Sequence, residues 1–143
     1  MSKLIFVNLP VADLDRADAF YQAIGAVKNP QFSDHTASCM VLSETIHAML
    51  LTHDKFRQFT PKKIADARET TEVLICLSAG SREEVDDVVA KAAVAGGRAD
   101  PGPKQDHGFM YGRSFEDPDG HIWEVMWMDL EAAKAAMADM ANA

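Results

Sequence analysis

The sequence has few of the features that mark secreted or membrane proteins. Its 143 residues include only two cysteines, and no apolar run approaches the length that crosses a bilayer. Cys39 and Cys76 both lie in apolar segments, which predicts reduced core thiols, although sequence alone leaves a disulfide open. The opening residues do not have the pattern of a signal peptide. We therefore expect a cytoplasmic protein without a membrane partner.

Positive charge is also scarce. Fourteen Lys and Arg residues stand against 22 Asp and Glu, which gives a net charge of −8 at pH 7. An acidic surface repels the phosphates of nucleic acids, so we expect no nucleic-acid partner. The chain also lacks a G-x-S-x-G nucleophile motif and a glycine-rich phosphate loop, which argues against serine hydrolase and nucleotide chemistry.

Apolar residues are abundant, at 48% of the chain, and their periodicity predicts two similar sets of elements. Each set begins with a strand, continues with a capped helix that ends at glycine, and finishes with short strands. The two helix-ending glycines, Gly25 and Gly97, lie about 70 residues apart, which indicates a duplicated βαβββ unit. The predicted strands cover residues 3–9, 26–32, 37–43, 47–53, 72–77, 98–100, 109–115 and 121–128, and the predicted helices begin at Asp13, Ser81 and Leu130.

Two segments of the sequence resemble a known superfamily. The N-terminal segment IFVNLPVADLDRADAFYQAIG and the later segment SFEDPDGHIWEV are similar to the start and the end of vicinal oxygen chelate proteins. This superfamily includes glyoxalase I, extradiol dioxygenases, fosfomycin-modifying enzymes and bleomycin-binding proteins. The likeness extends to about residue 129 and is nearest to the lactoylglutathione-lyase-like branch.

The resemblance implies an α+β fold in which two βαβββ modules form a curved, eight-stranded mixed sheet with the helices outside. The modules would cover residues 1–55 and 71–129 of one domain, with residues 56–70 as linker and 130–143 as a helical tail. Proteins of this superfamily commonly form homodimers, so we expect a homodimer here.

The resemblance also implies four metal-ligand positions, which map to Phe6, Leu50, Glu72 and Glu124. Only the two glutamates can bind a metal, so the usual four-ligand site is expected to be absent and no cofactor is favoured. A divalent ion such as Mg²⁺, Mn²⁺, Ni²⁺ or Zn²⁺, held by Glu72 and Glu124, stays an alternative.

Strand alternation predicts which side chains face the cavity. In the first strand Phe6 and Asn8 share one face, and the aliphatic opposite face should pack on the helices. The same rule places Glu124 opposite Trp123 and Val125. The resulting prediction is an apolar cavity with two carboxylates, lined by Phe6, Asn8, Leu50, Glu72 and Glu124.

Glu124 and Glu72 are the candidate catalytic residues, because two neighbouring acids in an apolar cavity would raise one pKa and create a base. Either glutamate could instead be solvated, and Glu72 could pair with a basic residue. His107, Tyr111 and Arg113 are candidate substrate-binding residues, with a loop histidine and an internal salt bridge as the structural alternatives.

Two functions follow from these residues. The first is a glyoxalase-like lyase or isomerase that acts on a small carbonyl or thiol-adduct substrate. The second is a metal-free protein that sequesters a small molecule, as bleomycin-binding proteins do. Phe6 and Leu50 favour the second function, whereas Glu72 and Glu124 favour the first.

Overall fold

A computed structural model describes residues 2–141. It contains nine strands, four α-helices and one 3-10 turn, and this α+β class agrees with the prediction. The elements in chain order are β1 (Ile5–Val11), α1 (Leu14–Ala23), β2 (Val27–Asn29), the 3-10 turn (Pro30–Phe32), β3 (Ala37–Val41), β4 (Ile46–Thr52), α2 (His53–Arg57), β5 (Ile75–Ser78), α3 (Arg82–Val94), β6 (Arg98–Ala99), β7 (Gln105–Asp106), β8 (Met110–Glu116), β9 (Ile122–Met128) and α4 (Leu130–Ala141).

The strands form two separate sheets, which differs from the single eight-stranded sheet that was predicted. The first sheet has the order β1-β4-β3-β2, and the second has the order β5-β9-β8-β6 with β7 added beside β8. β1 lies parallel to β4, and β5 lies parallel to β9. A parallel pair needs a crossover connection, which α1 provides in the first sheet and α3 in the second. β1 and β5 are therefore edge strands, and an edge position tolerates Pro10 within β1.

Helices α1 and α3 begin at the residues that the sequence predicts. The Asp13 side chain accepts a hydrogen bond from the amide of Arg16, and the Ser81 hydroxyl accepts one from the amide of Glu84. The Glu84 carboxylate accepts a hydrogen bond from the amide of Gly80. These bonds satisfy amides in the first turn of each helix, which have no partner within the helix itself.

One apolar core joins the two sheets. It contains residues of α1 and α3 together with the inward faces of both sheets. Phe20 of α1 packs on Phe115 of β8 with ring centroids 6.0 Å apart, and Tyr21 meets Trp123 edge to face. Gly97 is required at this junction, because a side chain there would collide with Phe20 and with the carbonyl of Glu116. Each sheet thus keeps its second face away from the core.

The structure holds no candidate for a membrane-spanning helix within residues 2–141. The longest helix, α3, has 13 residues and is amphipathic, with Val85, Val89 and Ala92 buried.

Candidate functional site

The open face of the second sheet carries Glu124. Strand register places Glu124 directly beside Cys76 of β5 and Ser114 of β8. Trp123 and Val125 point into the core on the opposite side, so alternation leaves Glu124 on the open face, as predicted. The Glu124 side chain is half-buried, and no hydrogen bond within residues 2–141 engages its carboxylate. This carboxylate is therefore available to a ligand.

A cavity of about 290 Å³ surrounds Glu124. The loop after β6 forms one wall, which the amide of Gly102 fixes by donating to the Ser114 hydroxyl over 3.2 Å. The remaining walls are mainly apolar, as is usual for sites that bind small organic molecules. Apart from Glu124, Ser114 and Gly102, the cavity is lined by Leu74, Cys76, Pro101, Pro103, Gln105, Met110, Gly112, Arg113, Ile122, Val125 and Met126.

Cys76 is the contributor to this site that sequence reasoning missed. Its alternation with Leu77 in an apolar run predicts a core thiol, but the structure places it on the exposed face, in register with Glu124. The pKa of the Cys76 thiol is raised, mainly by partial desolvation and to a smaller extent by the negative charge of the nearby Glu124 carboxylate. A raised pKa keeps the thiol protonated, so Cys76 offers a weak donor and not a nucleophilic thiolate. Strand alternation places Cys76 on the predicted cavity face of its strand, and this pattern could have identified it as a residue of the site. Cys39 is buried, as predicted.

Glu72 does not join Glu124. β5 begins at Ile75, so Glu72 precedes the strand and is exposed. It lies four residues before Cys76, a separation of about 13 Å in an extended chain. Glu72 instead lines a second cavity of about 310 Å³, together with Asn8. The predicted convergence of the two carboxylates is therefore wrong for this chain.

Leu50 also lies elsewhere than predicted. It is fully buried in the core that faces α1, and the alternate residues His47, Met49 and Leu51 occupy the open face of the first sheet. The register pairs Phe6 with His47, and their rings stack with centroids 4.6 Å apart. Phe6 and Asn8 do face the open side, in agreement with the predicted alternation.

Tyr111 and Arg113 face the α3 side of the second sheet, away from the predicted cavity face. The Arg113 guanidinium donates two hydrogen bonds to Asp100, at 3.0 and 2.6 Å, and one to Asp86 of α3 at 2.9 Å. The Tyr111 hydroxyl donates to Asp86 over 2.7 Å. The bonds to Asp100 raise the pKa of Arg113 above its usual value. These internal partners occupy both side chains, as in the predicted structural alternative of an internal salt bridge, and the predicted substrate contacts of the two residues stay a prediction.

His107 lies in the exposed turn between β7 and β8, with its ring 6.2 Å from that of Phe109. It does not line the cavity around Glu124. Its predicted contact with substrate stays a prediction.

The four implied metal positions do not form a metal site in this chain. Phe6 and Leu50 have no ligating atoms, and Glu72 is distant from Glu124. Across residues 2–141, no three His, Cys, Asp or Glu side chains meet in an arrangement that could hold a metal ion. The residues present thus do not fit the four-ligand set of the superfamily.

Comparison with known proteins agrees with this fold. The family described as "Bleomycin resistance protein-like N-terminal" matches residues 3–36, which include β1 and α1. No protein of curated function matches the sequence.

Several solved structures resemble the whole chain. The hypothetical protein SA1046 from S. aureus is 28% identical, with a TM-score of 0.73 over 89% of this chain and 94% of that one. A glyoxalase-related enzyme from Fulvimarina pelagi is 17% identical, with a TM-score of 0.73 over 89% and 88% of the two chains. The fosfomycin resistance protein FosX from Listeria monocytogenes is 24% identical, with a TM-score of 0.66 over 92% and 97%.

Proposed function

We propose that this chain, which has the fold of the glyoxalase/bleomycin resistance/dioxygenase family, binds a small and largely apolar organic molecule in the cavity around Glu124, without a metal ion. The observation that carries this proposal is the half-buried Glu124 carboxylate, which has no hydrogen-bond partner among residues 2–141 and is set among aliphatic, methionine and proline side chains. Such a carboxylate selects a ligand that brings a hydroxyl, amide or amine donor, because a buried acceptor without a donor costs free energy.

The position of Glu72 favours the binding function over the lyase or isomerase. A base made by two neighbouring acids would support the enzyme, but Glu72 and Glu124 line different cavities. The match of the N-terminal segment to bleomycin resistance-like proteins also supports a binding role. Binding in an apolar cavity therefore has the stronger support.

A lyase or isomerase remains the second candidate, and Glu124 is the residue that favours it. Its carboxylate can take a proton from the carbon beside a substrate carbonyl and return it to the neighbouring atom. Ser114 and Cys76 flank Glu124 in the strand register and can donate hydrogen bonds to a polar substrate group.

A second copy of the chain is the partner that we propose. Leu4, Ile5 and Phe6 at the start of edge strand β1 are 53, 53 and 49% exposed, and Val73 and Leu74 before edge strand β5 are 58 and 55% exposed. Apolar side chains on unpaired edge strands favour association. A partner seated there would cover the open faces of both sheets and enclose the cavity around Glu124.

The dimer is tested by light scattering coupled to size-exclusion chromatography. Phe6→Glu should convert a dimer to a monomer, whereas Phe32→Glu, which places the same charge at a residue 66% exposed outside the two edge strands, should leave the dimer intact. A wild-type protein that is monomeric at all concentrations contradicts this part of the proposal.

The ligand site is tested with a thermal-shift panel of small apolar compounds, since ligands that bind the native state raise Tm. Glu124→Gln should weaken binding of donor-bearing compounds by about tenfold, the value of one hydrogen bond to a charged group. The control Glu131→Gln removes the same charge from the exposed start of α4 and should bind normally. Hits that bind equally well to wild type and Glu124→Gln contradict the proposed site. Turnover of a hit that Glu124→Gln abolishes would favour the lyase or isomerase.

A further inference from the structure

Residues 53–68, the first part of the connection from β4 to β5, reverse the charge of the protein locally, and we call this segment the linker. The chain as a whole carries a net charge of −8. Within residues 53–68, however, five basic residues face only two acidic ones. The basic residues are Lys55, Arg57, Lys62, Lys63 and Arg68. A concentrated positive patch on an acidic protein attracts anions to that place and not to the rest of the surface.

This linker borders a cleft of about 850 Å³, which is larger than the cavity around Glu124. We call it the linker cleft. Its walls include four of the basic side chains, those of Arg57, Lys62, Lys63 and Arg68, and the segment before α1 and the turn before β9 close the far side. Its volume lies within the range of sites for small-molecule ligands, roughly 300–1,000 Å³. It does not contain Glu124, which belongs to the smaller cavity described above.

The wall of the linker cleft formed by residues 67 and 68 is held against the turn before β9. The Arg68 guanidinium donates to the carbonyl of Pro118 over 2.6 Å. Gly120, at φ +94°, lies against the backbone of residues 67 and 68, where a Cβ would come within 2.9 Å of the Arg68 nitrogen. Only glycine permits this backbone conformation together with so close an approach. The turn before β9 thus holds the linker in place and preserves the shape of the cleft.

The lysines of the linker cleft have no acidic partner that neutralises them. Within residues 2–141, no salt bridge engages Lys62 or Lys63. Arg57 pairs with Asp54 in a contact that is largely exposed and therefore weak. The cleft acid Asp66 accepts a hydrogen bond from the amide of Arg68 and belongs to the loop itself. The ammonium groups are free to bind an anion.

Asp119 adds a second requirement for a ligand. Its side chain is 9% exposed and lines the linker cleft. Oδ1 accepts hydrogen bonds from the amide of Ala12 at 2.9 Å and from Arg16 at 3.4 Å, whereas Oδ2 is buried without a partner. An unpaired buried carboxylate oxygen is costly unless a donor reaches it. A hydroxyl or amine of a bound molecule would supply that donor.

We propose that the linker cleft is a second ligand site, which binds a small polyanion that carries phosphate or carboxylate groups and at least one hydroxyl or amine. Lys62 and Lys63 bind the anionic groups, and Asp119 accepts a hydrogen bond from the donor. The site stands apart from the cavity around Glu124 and does not depend on the function proposed for it.

Isothermal titration calorimetry with pyrophosphate, citrate and tricarballylate, at constant ionic strength, tests the site. Tricarballylate is citrate without its hydroxyl, so the pair isolates the donor that Asp119 requires. We expect saturable binding of citrate with one site per chain, several-fold tighter than binding of tricarballylate, whereas pyrophosphate, which has no alcohol or amine, reports on the lysines alone. Equal affinity for the two carboxylates overturns the role of Asp119, and no saturable heat with any of the three overturns the site.

The lysines are tested by the double variant Lys62→Glu/Lys63→Glu, which should lower the affinity by about tenfold or more because both cations become anions. The matched control is Lys91→Glu/Lys134→Glu, which changes the net charge equally at exposed positions of α3 and α4. The Lys62→Glu/Lys63→Glu variant should have the Tm of the wild type without ligand, because both positions are exposed. The control can have a slightly lower Tm, because it breaks the pairs of Lys91 with Asp87 and of Lys134 with Glu131. A loss of affinity that is equal in both double variants would show a general charge effect and overturn the linker cleft as a site.

Discussion

Helices α1 and α3 are held to the second sheet in different ways. α1 is fixed by buried aromatic rings and by one internal hydrogen-bond chain. Trp123 Nε1 donates to the Tyr21 hydroxyl at 3.0 Å, and that hydroxyl donates to Asp117 Oδ2 at 2.6 Å. Tyr21 is fully buried, and Asp117 and Trp123 are 3 and 1% exposed. We call these three residues the buried junction.

α3 is fixed at its start by charges near the surface. Arg82 donates hydrogen bonds to both carboxylate oxygens of Asp106, at 3.1 and 2.9 Å, and its guanidinium lies over the rings of Tyr111 and Trp127. The ion pairs of Arg113 with Asp86 and Asp100 lie beside it. We call this group the ionic clamp, and it comprises Arg82, Asp86, Asp100, Asp106 and Arg113.

Because the buried junction lies in the core and the ionic clamp lies near the surface, we expect the junction to control global unfolding and the clamp to control local opening. The buried junction joins the two sheets through the shared core, so its loss should unfold the whole chain. The ionic clamp holds the β7–β8 hairpin, whose residues Gln105, Met110 and Gly112 line the cavity around Glu124. The Arg82–Asp106 pair is about half-exposed, and such pairs contribute little to global stability. Its loss should therefore open the cavity wall without unfolding the core.

The largest expected effect comes from truncation of the aromatic core. Phe20→Ala removes a fully buried ring that packs on Phe115 and lies beside Gly97, and so leaves a cavity in the shared core. We expect a loss of about 3–5 kcal/mol in the free energy of unfolding, measured by urea denaturation. The control Phe59→Ala removes a ring that is 69% exposed and should cost much less. Similar losses in both variants would contradict a core shared by the two sheets.

A smaller effect should separate the two hydrogen-bonded tyrosines. Tyr21→Phe removes a hydroxyl that both donates to Asp117 and accepts from Trp123, and leaves buried polar atoms without a partner. We expect a loss of about 1–3 kcal/mol. Tyr111→Phe removes the bond to Asp86, whose side chain is 54% exposed and is hydrated after the change. Its cost should stay within about 0.5 kcal/mol. Equal costs in urea denaturation would remove the distinction between junction and clamp.

Much of this architecture follows from local sequence signals. The helix starts at Asp13 and Ser81 and the turn at residues 117–120 are set by short-range hydrogen bonds, which a sequence shows directly. Strand alternation predicts the open face for Glu124 because its neighbours Trp123 and Val125 are apolar and Glu124 is charged. Alternation works where one face of a strand is buried and the other is open.

The errors occur where that contrast is missing. In β4 both Leu50 and Leu51 are almost fully buried, so alternation cannot tell which face meets the core. The start of β5 is set by pairing with β9, a long-range contact that the apolar run before Ile75 does not reveal. The sequence shows that Tyr111 and Arg113 share a face. Only the pairing of Arg113 with Val125 shows that this face meets α3.

The smallest expected effect is a response to acid, with opposite signs in the two regions. Hydrogen bonds from Arg82 lower the pKa of Asp106 to about 2. Hydrogen bonds from Arg113 likewise lower the pKa of Asp100. The stability that these groups contribute is complete above their unfolded pKa of 3.8 and is lost as pH falls towards 2. Burial instead raises the pKa of Asp117, so its ionised form is disfavoured at neutral pH and protonation relieves that cost in acid.

Hydrogen exchange with mass spectrometry between pH 5 and pH 2.5 measures both responses, after correction for intrinsic rates. Protection of residues 105–112 should fall first, while residues 117–123 keep theirs, because only the clamp loses its ionised partners. Arg82→Gln should lower protection of residues 105–112 at pH 5 already and leave a smaller further change in acid, since the bond that depresses the pKa of Asp106 is gone. A simultaneous loss in both segments would mean that clamp and junction open as one unit, and the cavity wall would then be no more labile than the core.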